Sequence, residues 1–265
     1  MIPKIIHYCW LSDAPIPEKY QAYINGWKKL MPEYQIKKWD RQTINLEEHD
    51  FALKAFNDKK YAFAADYIRV YALRNEGGIY LDSDVEVIKP LDKFLKYGFF
   101  SSFENHLEAY HYKLLQLMGY IDNEGKRRHD VTRVVDAGIQ AAIIGSEAHH
   151  PFIEKLYETY ISMNWDEYKE RKKTFSAPII FAQTCENFGF RYKDKKQELA
   201  ANTVIFPSDV FCMNGDESDN TYAIHKCAGS WNKRENESGL KHALRCNKLI
   251  KSLYMSAKIL MKKTN

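Results

Sequence analysis

The chain has 265 residues, which suits one large domain or one domain with a small lobe. Apolar residues make up 45% of it, enough for a core, so the composition excludes a globally disordered chain. The net charge of +4 is uneven: from Ser238 onward there are seven Lys or Arg and no acid, which leaves 32 bases and 35 acids before that point. The body is therefore slightly acidic, and the charge pattern does not support a nucleic-acid-binding protein.

The five cysteines are widely spaced and contain no C-x-x-C pair, so a zinc knuckle is unsupported. The N-terminal residues become polar too quickly for a secretory signal peptide, and no stretch approaches the roughly 20 apolar residues of a membrane span. We therefore expect a protein of the reducing cytoplasm. The cysteines are Cys9, Cys185, Cys212, Cys227 and Cys246.

Predicted strands and helices alternate along the chain, which indicates an α/β fold. Strands are predicted at residues 3–10, 34–40, 79–88 and 136–146, and helices at residues 17–32, 61–76 and 150–163. Gly77 and Gly78 follow the second helix as a C-cap and a tight turn.

Two acids, Asp82 and Asp84, interrupt the apolar run "GGIYLDSDVEVI". On an extended strand they would lie on the same side, where they would repel each other unless a cation lay between them. Carboxylate oxygens suit a hard cation such as Mn²⁺ or Mg²⁺, which could also bind a diphosphate. A lone D-x-D is a weak signal, and the alternative is two solvated acids at a strand end.

Asp66 and Arg69 lie three residues apart, on one face of the helix that precedes this strand. Arg69 could bind a phosphate or a sugar hydroxyl, and Asp66 could accept a hydrogen bond from a sugar. The alternative is a plain ion pair on a helix surface.

Three histidines have a structural interpretation. His7 in the first strand is expected to be a core histidine with its hydrogen bonds satisfied, rather than a ligand. His149 and His150 precede Pro151 and a helical pattern, so they indicate a helix start rather than a metal pair.

Four ordered motifs resemble glycosyltransferase family 32, the DXD-containing sugar transferases that include bacterial capsule and lipopolysaccharide enzymes. The main one is "AADYIRVYALRNEGGIYLDSDV", which is similar to the family's Ala-Ala/Ser-Asp-x-x-Arg helix and Gly-Gly-x-Tyr-x-Asp-x-Asp strand. The others are "IPKIIHYCWL", "HHPFIEKLY" and "AIHKCAGSW", so that the resemblance runs from Ile2 to Trp231.

The resemblance implies a GT-A fold, in which a Rossmann-like mixed sheet flanked by helices binds a nucleotide-sugar. It implies that Asp82 and Asp84 bind the metal, usually Mn²⁺, with His225 facing the metal or diphosphate. It implies that Ser230 and Trp231 hold the diphosphate on a C-terminal loop.

On the donor side, the resemblance implies that Trp10 stacks near the nucleobase, with Tyr8 beside it. Asp66 would bind ribose or the donor sugar, and Arg69 the sugar or phosphate. Asp136 is a further candidate for contact with the donor sugar, although the family often has Asn there. The alternative for Asp136 is an acid that caps a turn.

Residues 1–237 are predicted to form the GT-A domain and residues 238–265 a basic amphipathic helical tail. On a helical wheel one apolar side is formed by Ile250, Leu253, Tyr254, Ala257, Leu260 and Met261. The other side is basic and consists of Lys241, Lys248, Lys251, Lys258, Lys262 and Lys263, with Leu244, Met255 and Ile259 as apolar exceptions. Such a helix could lie on an anionic membrane surface or pack on its own domain.

The resemblance therefore implies a metal-dependent, retaining glycosyltransferase that moves a hexose, most simply from UDP-hexose, to a hydroxyl of a lipid-linked surface glycan. Capsule or lipopolysaccharide assembly would place it in the cytoplasm or on the inner face of the plasma membrane. One alternative is a module that binds nucleotide-sugar or glycan without transferring it. Another is a phosphatase of the haloacid dehalogenase type, which Glu86 disfavours because such enzymes need Thr or Val at that point.

Overall fold

The computed structural model of the protein describes residues 1–171, 175–227 and 248–261. Its helices are α1 (Glu18–Leu30), α2 (Asp50–Asn57), α3 (Tyr61–Glu76), α4 (Ala109–Leu117), α5 (Pro151–Ser162), α6 (Trp165–Arg171), α7 (Ala177–Glu186) and α8 (Lys248–Met261). Its strands are β1 (Ile5–Cys9), β2 (Gln35–Trp39), β3 (Gly78–Leu81), β4 (Val85–Val87), β5 (Phe99–Ser102), β6 (Ile143–Ser146), β7 (Gln197–Leu199), β8 (Thr203–Phe206), β9 (Phe211–Met213) and β10 (Ala223–His225).

A seven-stranded mixed sheet with the order β2-β1-β3-β6-β5-β8-β7 forms the centre of the fold. Strands β1, β2 and β3 are parallel, as are β5 and β8, whereas β6 and β7 run antiparallel to their neighbours. All four residues of β3 are buried, as expected for a central strand covered on both faces. The end of β3 therefore lies at the middle of the sheet, where α/β proteins commonly bind ligands.

Two separate cores cover the two faces of this sheet. Helices α2, α3, α5 and α7 pack on one face, around Tyr80 and Phe99. Helix α1 packs on the other face through Ile24 and Trp27, against Ile79 of β3. The alternation of Ile79 and Tyr80 between the two cores follows from the two-residue period of a strand.

The helices at residues 17–32, 61–76 and 150–163 are confirmed, and two of their ends have clear causes. Gly77 ends α3 with φ of 63°, and its N–H donates to the Leu73 carbonyl at 2.9 Å. A Cβ on Gly78 would lie 2.7 Å from the Ile5 carbonyl oxygen, so glycine allows β3 to approach β1. His150 caps α5 by accepting the Phe152 N–H, which confirms the helix-start interpretation.

Two strand predictions are wrong in extent. The predicted strand at residues 79–88 is two strands of different sheets, because the chain turns after Leu81 and β4 joins a small sheet with the order β4-β10-β9. The predicted strand at residues 136–146 is regular only as β6, since residues 134–142 form turns and an isolated bridge from Ile139 to Phe103.

The predicted α/β class, with the large mixed sheet flanked by helices of a GT-A fold, is confirmed by this topology. Among the described residues, no helix has the length and apolarity needed to cross a bilayer. The four described cysteines, Cys9, Cys185, Cys212 and Cys227, are unpaired. Residues 238–247 of the predicted tail lie outside the described residues, and the remainder contains α8.

Candidate active site

Asp82 and Asp84 lie in a turn between β3 and β4. The N–H of Val85 donates to the Asp82 carbonyl at 3.0 Å and closes this turn. The prediction that the two carboxylates project from one side of a single extended strand is therefore wrong. The turn nevertheless places the two carboxylates near each other, because both follow the carboxyl end of β3.

His225 completes a three-residue cluster with these acids. Strand β10 pairs antiparallel with β4, which places His225 opposite Val85 and beside the turn. One potential ligand atom from each of Asp82, Asp84 and His225 lies within 4.8 Å of the other two. The Nε2 atom of His225 lies 3.4 Å from Oδ1 of Asp84. The structure thus brings together the three residues for which the resemblance implied metal contact.

The two carboxylates make this cluster attract positive charge, either as a proton on His225 or as a metal cation that replaces that proton. Burial lowers the pKa of His225, but Cys227 and Asp84 outweigh it and raise that pKa well above its ordinary value. The Nδ1 atom of His225 is buried and has no hydrogen-bond partner in the described part of the chain. Two carboxylates and an imidazole form a donor set that suits Mn²⁺ well and Mg²⁺ less well. The residues present therefore fit the predicted divalent ion.

Arg69 connects α3 to the acidic turn. Its guanidinium lies 2.9 Å from Asp66 Oδ1 and 3.3 Å from Asp82 Oδ1, and it donates to the Ala141 carbonyl at 3.0 Å. Its side chain is only 6% exposed. The alternative of a surface ion pair is thus excluded, because Arg69 compensates two acids inside the protein.

The hydrogen bonds of Asp82 fix its carboxylate. Tyr80 Oη donates to Asp82 Oδ1 at 3.0 Å, and the Arg69 guanidinium lies over the Tyr80 ring at 5.0 Å. Burial raises the pKa of Asp66 to about 7, against the charge of Arg69, which Asp66 shares with Asp82. Arg69 and Tyr80 therefore orient Asp82 through contacts to the same carboxylate oxygen.

A second polar group lies beside this cluster and was only partly predicted. Asp136 adopts φ of 53°, and its Oδ1 lies 2.9 Å from Nζ of Lys258 on α8. Burial and Asp136 raise the pKa of Glu104 to about 7, while His225 and Lys258 oppose this shift. A Cβ on Gly138 would lie 2.7 Å from Glu104 Oε2, so glycine leaves room for that carboxyl group. No local pattern in the sequence indicates that Lys258 would reach Asp136.

Two other candidates, Tyr8 and Trp10, have structural contacts, as does Gln140 in the loop before β6. Tyr8 is buried and packs edge-on against Trp27. Trp10 is half-buried, and its Nε1 donates to the Ala14 carbonyl at 2.8 Å. The side chain of Gln140 is buried and accepts the Ala142 N–H at 3.1 Å, which shapes the loop before β6. A contact of Tyr8 or Trp10 with a nucleobase stays a prediction.

His7 has the structural role that was predicted. Its Nδ1 accepts from Trp39 Nε1 at 3.0 Å, so its Nε2 donates to the Gly77 carbonyl at 2.8 Å. Burial lowers the pKa of His7. Ser230 and Trp231, the predicted diphosphate contacts, lie outside the described residues.

A family model matches the part of the sequence that contains the acidic turn. Residues 17–100 match the family model described as the glycosyltransferase sugar-binding region containing DXD motif. That range includes α3, β3 and the acidic turn. These observations support the general family that the sequence predicted, the DXD-containing glycosyltransferases.

Curated relatives share this region. The chain is 36% identical over 106 residues to an uncharacterized glycosyltransferase of Acanthamoeba polyphaga mimivirus, covering 38% of this chain and 42% of that protein. It is 33% identical over 100 residues to inositol phosphoceramide mannosyltransferase 3 of Schizosaccharomyces pombe, covering 36% of this chain and 28% of that protein. The chain thus spans less than half the length of these relatives.

Solved structures of glycosyltransferases are also similar. The PaToxG glycosyltransferase has a TM-score of 0.49 and 17% identity, covering 70% of this chain and 69% of its own. A glycosyltransferase involved in glycosylation of the major capsid of PBCV-1 has a TM-score of 0.43 and 10% identity, covering 98% of this chain and 100% of its own.

Proposed function

We propose that this protein is a metal-dependent, retaining glycosyltransferase that moves a hexose from a nucleoside diphosphate donor, UDP-hexose, to a hydroxyl of a lipid-linked surface glycan. One observation carries the proposal. Asp82, Asp84 and His225 present three ligand atoms within 4.8 Å of one another at the carboxyl end of β3. This cluster is the arrangement needed to hold a cation and its diphosphate ligand.

Asp82, Asp84 and His225 would hold the ion, Mn²⁺ or Mg²⁺. When bound, the ion supplies Lewis-acid neutralisation of the diphosphate leaving group. During transfer the anomeric C–O bond breaks, and its electron pair stays on the diphosphate oxygen. The acceptor hydroxyl forms the new C–O bond on the same face of the sugar, and its proton passes to the departing diphosphate.

Arg69 and Asp66 support this chemistry from α3. The guanidinium lies 3.3 Å from Asp82 Oδ1 and so fixes a carboxylate that would bind the ion. Asp66 is the candidate for a hydrogen bond to ribose or the donor sugar. Asp136, beside the cluster, is the candidate for contact with the donor sugar, and Trp10 with Tyr8 for the nucleobase. Together these residues would bind and orient the donor.

The C-terminal loop and the acceptor complete the proposal. Ser230 and Trp231 would contact the diphosphate from the C-terminal loop. The names of the relatives support a lipid-borne acceptor and a hexose donor, since two kinds are called inositol phosphoceramide mannosyltransferase and mannosyl phosphorylinositol ceramide synthase. We extend the proposal to capsular polysaccharide or lipopolysaccharide assembly at the cytoplasmic face of the plasma membrane.

A donor screen tests the proposal. UDP- and GDP-hexoses are incubated with Mn²⁺, and slow hydrolysis is measured for the wild type, Asp84→Asn and a matched control, Glu86→Gln. Glu86 lies on β4 and pairs with Lys226 rather than with the cluster. We expect a hexose donor to be hydrolysed by the wild type and by Glu86→Gln, and not by Asp84→Asn.

Other outcomes would overturn it. If Asp84→Asn hydrolysed the donor as fast as the wild type, the metal cluster would have no part in the reaction. Binding of UDP without turnover, in the presence of a lipid-linked acceptor, would favour the non-catalytic module. Release of phosphate from a simple monoester would favour the phosphatase.

A further inference from the structure

We infer that α4 and α8 together form a face that docks on an anionic lipid bilayer. This "α4–α8 face" consists of exposed apolar side chains on two helices that pack against each other. The inference goes beyond the proposed transfer reaction, and only its link to a lipid-linked acceptor rests on that proposed function. Its five defining residues are Tyr110, Leu117, Leu253, Tyr254 and Leu260, which are 51–72% exposed.

Exposed apolar side chains are concentrated on this face. Within the described residues, ten large hydrophobic side chains are exposed, and seven of them lie on α4 or α8. The other three, Met1, Ile88 and Ile161, are scattered over different elements. Single exposed apolar residues are normal, whereas a contiguous group marks a surface for a protein or a membrane.

The body of the protein holds α8 in a fixed orientation. Met255 and Ile259 are buried in the core, and the Ser252 carbonyl accepts from His111 Nε2 of α4 at 3.0 Å. Lys258 is held by Asp136 at 2.9 Å. The residues that seemed exceptions on the helical wheel are thus the ones that pack on the domain. Because Met255 and Ile259 pack against the domain, the broader apolar side of α8 around Leu253 faces away from it.

Charge favours a membrane over a second copy of the chain. The two described helices carry four lysines, Lys113 on α4 and Lys248, Lys251 and Lys258 on α8, and neither helix contains an acid. Basic residues near an apolar helix face are attracted to anionic lipid headgroups. Two copies meeting through this face would instead bring the lysine-bearing helices of both copies together, and like charges repel.

The position of the α4–α8 face relates it to the site. Lys258 lies on the same helix as Leu253 and Tyr254, and it contacts Asp136 beside the acidic turn. Docking through α8 would therefore bring the Asp136 side of the site close to the headgroups. A lipid-linked acceptor could then reach the anomeric carbon without leaving the bilayer.

Vesicle sedimentation of the full chain tests the inference. Vesicles of phosphatidylcholine alone and of phosphatidylcholine with phosphatidylglycerol are compared at low and high salt. We expect binding to the anionic vesicles that weakens at high salt, because surface charges are screened. We expect the double variant Leu253→Glu with Tyr254→Glu to bind anionic vesicles at least about tenfold more weakly, because two apolar side chains that would enter the bilayer are replaced by charged ones.

Two single variants locate the surface. Leu117→Glu, on α4, is expected to weaken binding as well, because both helices form the face. Ile161→Glu is the matched control, since Ile161 is 58% exposed on α5, away from the face. Thermal unfolding checks that each variant is folded, and donor hydrolysis without vesicles is expected to be unchanged in all of them.

Three results would overturn the inference. The first is that the wild-type protein does not bind anionic vesicles. The second is that Leu117→Glu binds them as tightly as the wild type does. The third is that light scattering shows a dimer, which Leu253→Glu dissociates. The last result would assign the face to a second copy. Because vesicle binding is measured without any donor, its failure is distinguishable from failure of the transferase proposal.

Discussion

His225 Nε2 lies 3.4 Å from Asp84 Oδ1, across the pairing of β10 with β4. The imidazole is held at this place by the small sheet, whereas Asp82 is held by the large sheet through β3. The candidate cation site therefore lies where the two sheets meet. Its geometry depends on the turn after Leu81, which connects them.

The first prediction concerns metal affinity. Asp84→Asn is expected to weaken Mn²⁺ binding at least about 100-fold, because it removes an anionic ligand from a three-ligand cluster. Titration calorimetry, or the paramagnetic signal of free Mn²⁺, measures the change. Glu86→Gln, which alters a neighbouring carboxylate outside the cluster, should bind Mn²⁺ as the wild type does. Equal affinities in the two variants would contradict the assigned ligands.

The second prediction concerns Arg69. Arg69→Ala is expected to lower the free energy of unfolding by about 3–5 kcal/mol, because it leaves Asp66 buried beside a second acid without its counter-charge. Arg74→Ala is the control on the same helix, where the guanidinium pairs with Glu154 at 2.8 Å and both side chains are partly exposed. That change should cost about 1 kcal/mol or less. Urea unfolding measures both, and similar losses would contradict the central role of Arg69.

Local patterns were sufficient to predict α3, β3 and the fold class. The apolar spacing of α3, the Gly77–Gly78 stop and the β-branched run that follows are all short-range signals, and each is confirmed. The turn at Asp82–Asp84 was missed because strand periodicity does not show where a strand leaves its sheet. Its cause is long-range: β4 pairs with β10, from a distant part of the sequence.

Contacts between distant segments could not be predicted from the sequence. The pairing of Lys258 with Asp136 depends on how α8 lies on α4, and no local signal encodes that packing. The helical wheel of the tail identified the two sides of α8 but not which one packs inward. In the structure Met255 and Ile259 are buried, which shows that their side of α8 packs inward.

The third prediction concerns Glu104 and pH. Its pKa is about 7 in the folded protein and near the ordinary 4.5 when unfolded, so the folded state binds more protons between these values. The contribution of this group to stability is therefore greatest below pH 4.5 and is lost as the pH rises through 7. Glutamine mimics the neutral acid. At pH 8 the free energy of unfolding of Glu104→Gln is therefore expected to exceed that of the wild type by about 1–3 kcal/mol.

The same comparison at pH 5 should show a much smaller difference. Denaturant unfolding with a chelator present measures it without a bound cation. Glu47→Gln is the control, because Glu47 is exposed and belongs to the short helical turn Leu46–Glu48 before α2. A difference between wild type and Glu104→Gln that does not change from pH 5 to pH 8 would refute the raised pKa.

The fourth prediction concerns the packing of β6 on β5. Gly145 pairs with Phe100 across the two strands, and a Cβ on Gly145 would lie 2.1 Å from the Phe100 ring. The ring is fully buried between Phe94 and Phe211, so it has little freedom to move away. Gly145→Ala is therefore expected to destabilise the protein by about 1–3 kcal/mol, as overpacking does in other cores.

Gly26→Ala is the matched control for this substitution. Gly26 lies in α1, and a Cβ there would meet no atom within 4 Å, so alanine should stabilise the helix by about 0.5–1 kcal/mol. The two changes thus have opposite signs for the same added methyl group. Combining Gly145→Ala with Phe100→Leu should cost less than the sum of the two single changes, because the smaller side chain removes the clash. Additive losses in urea unfolding would show that the Phe100 ring is not the obstacle.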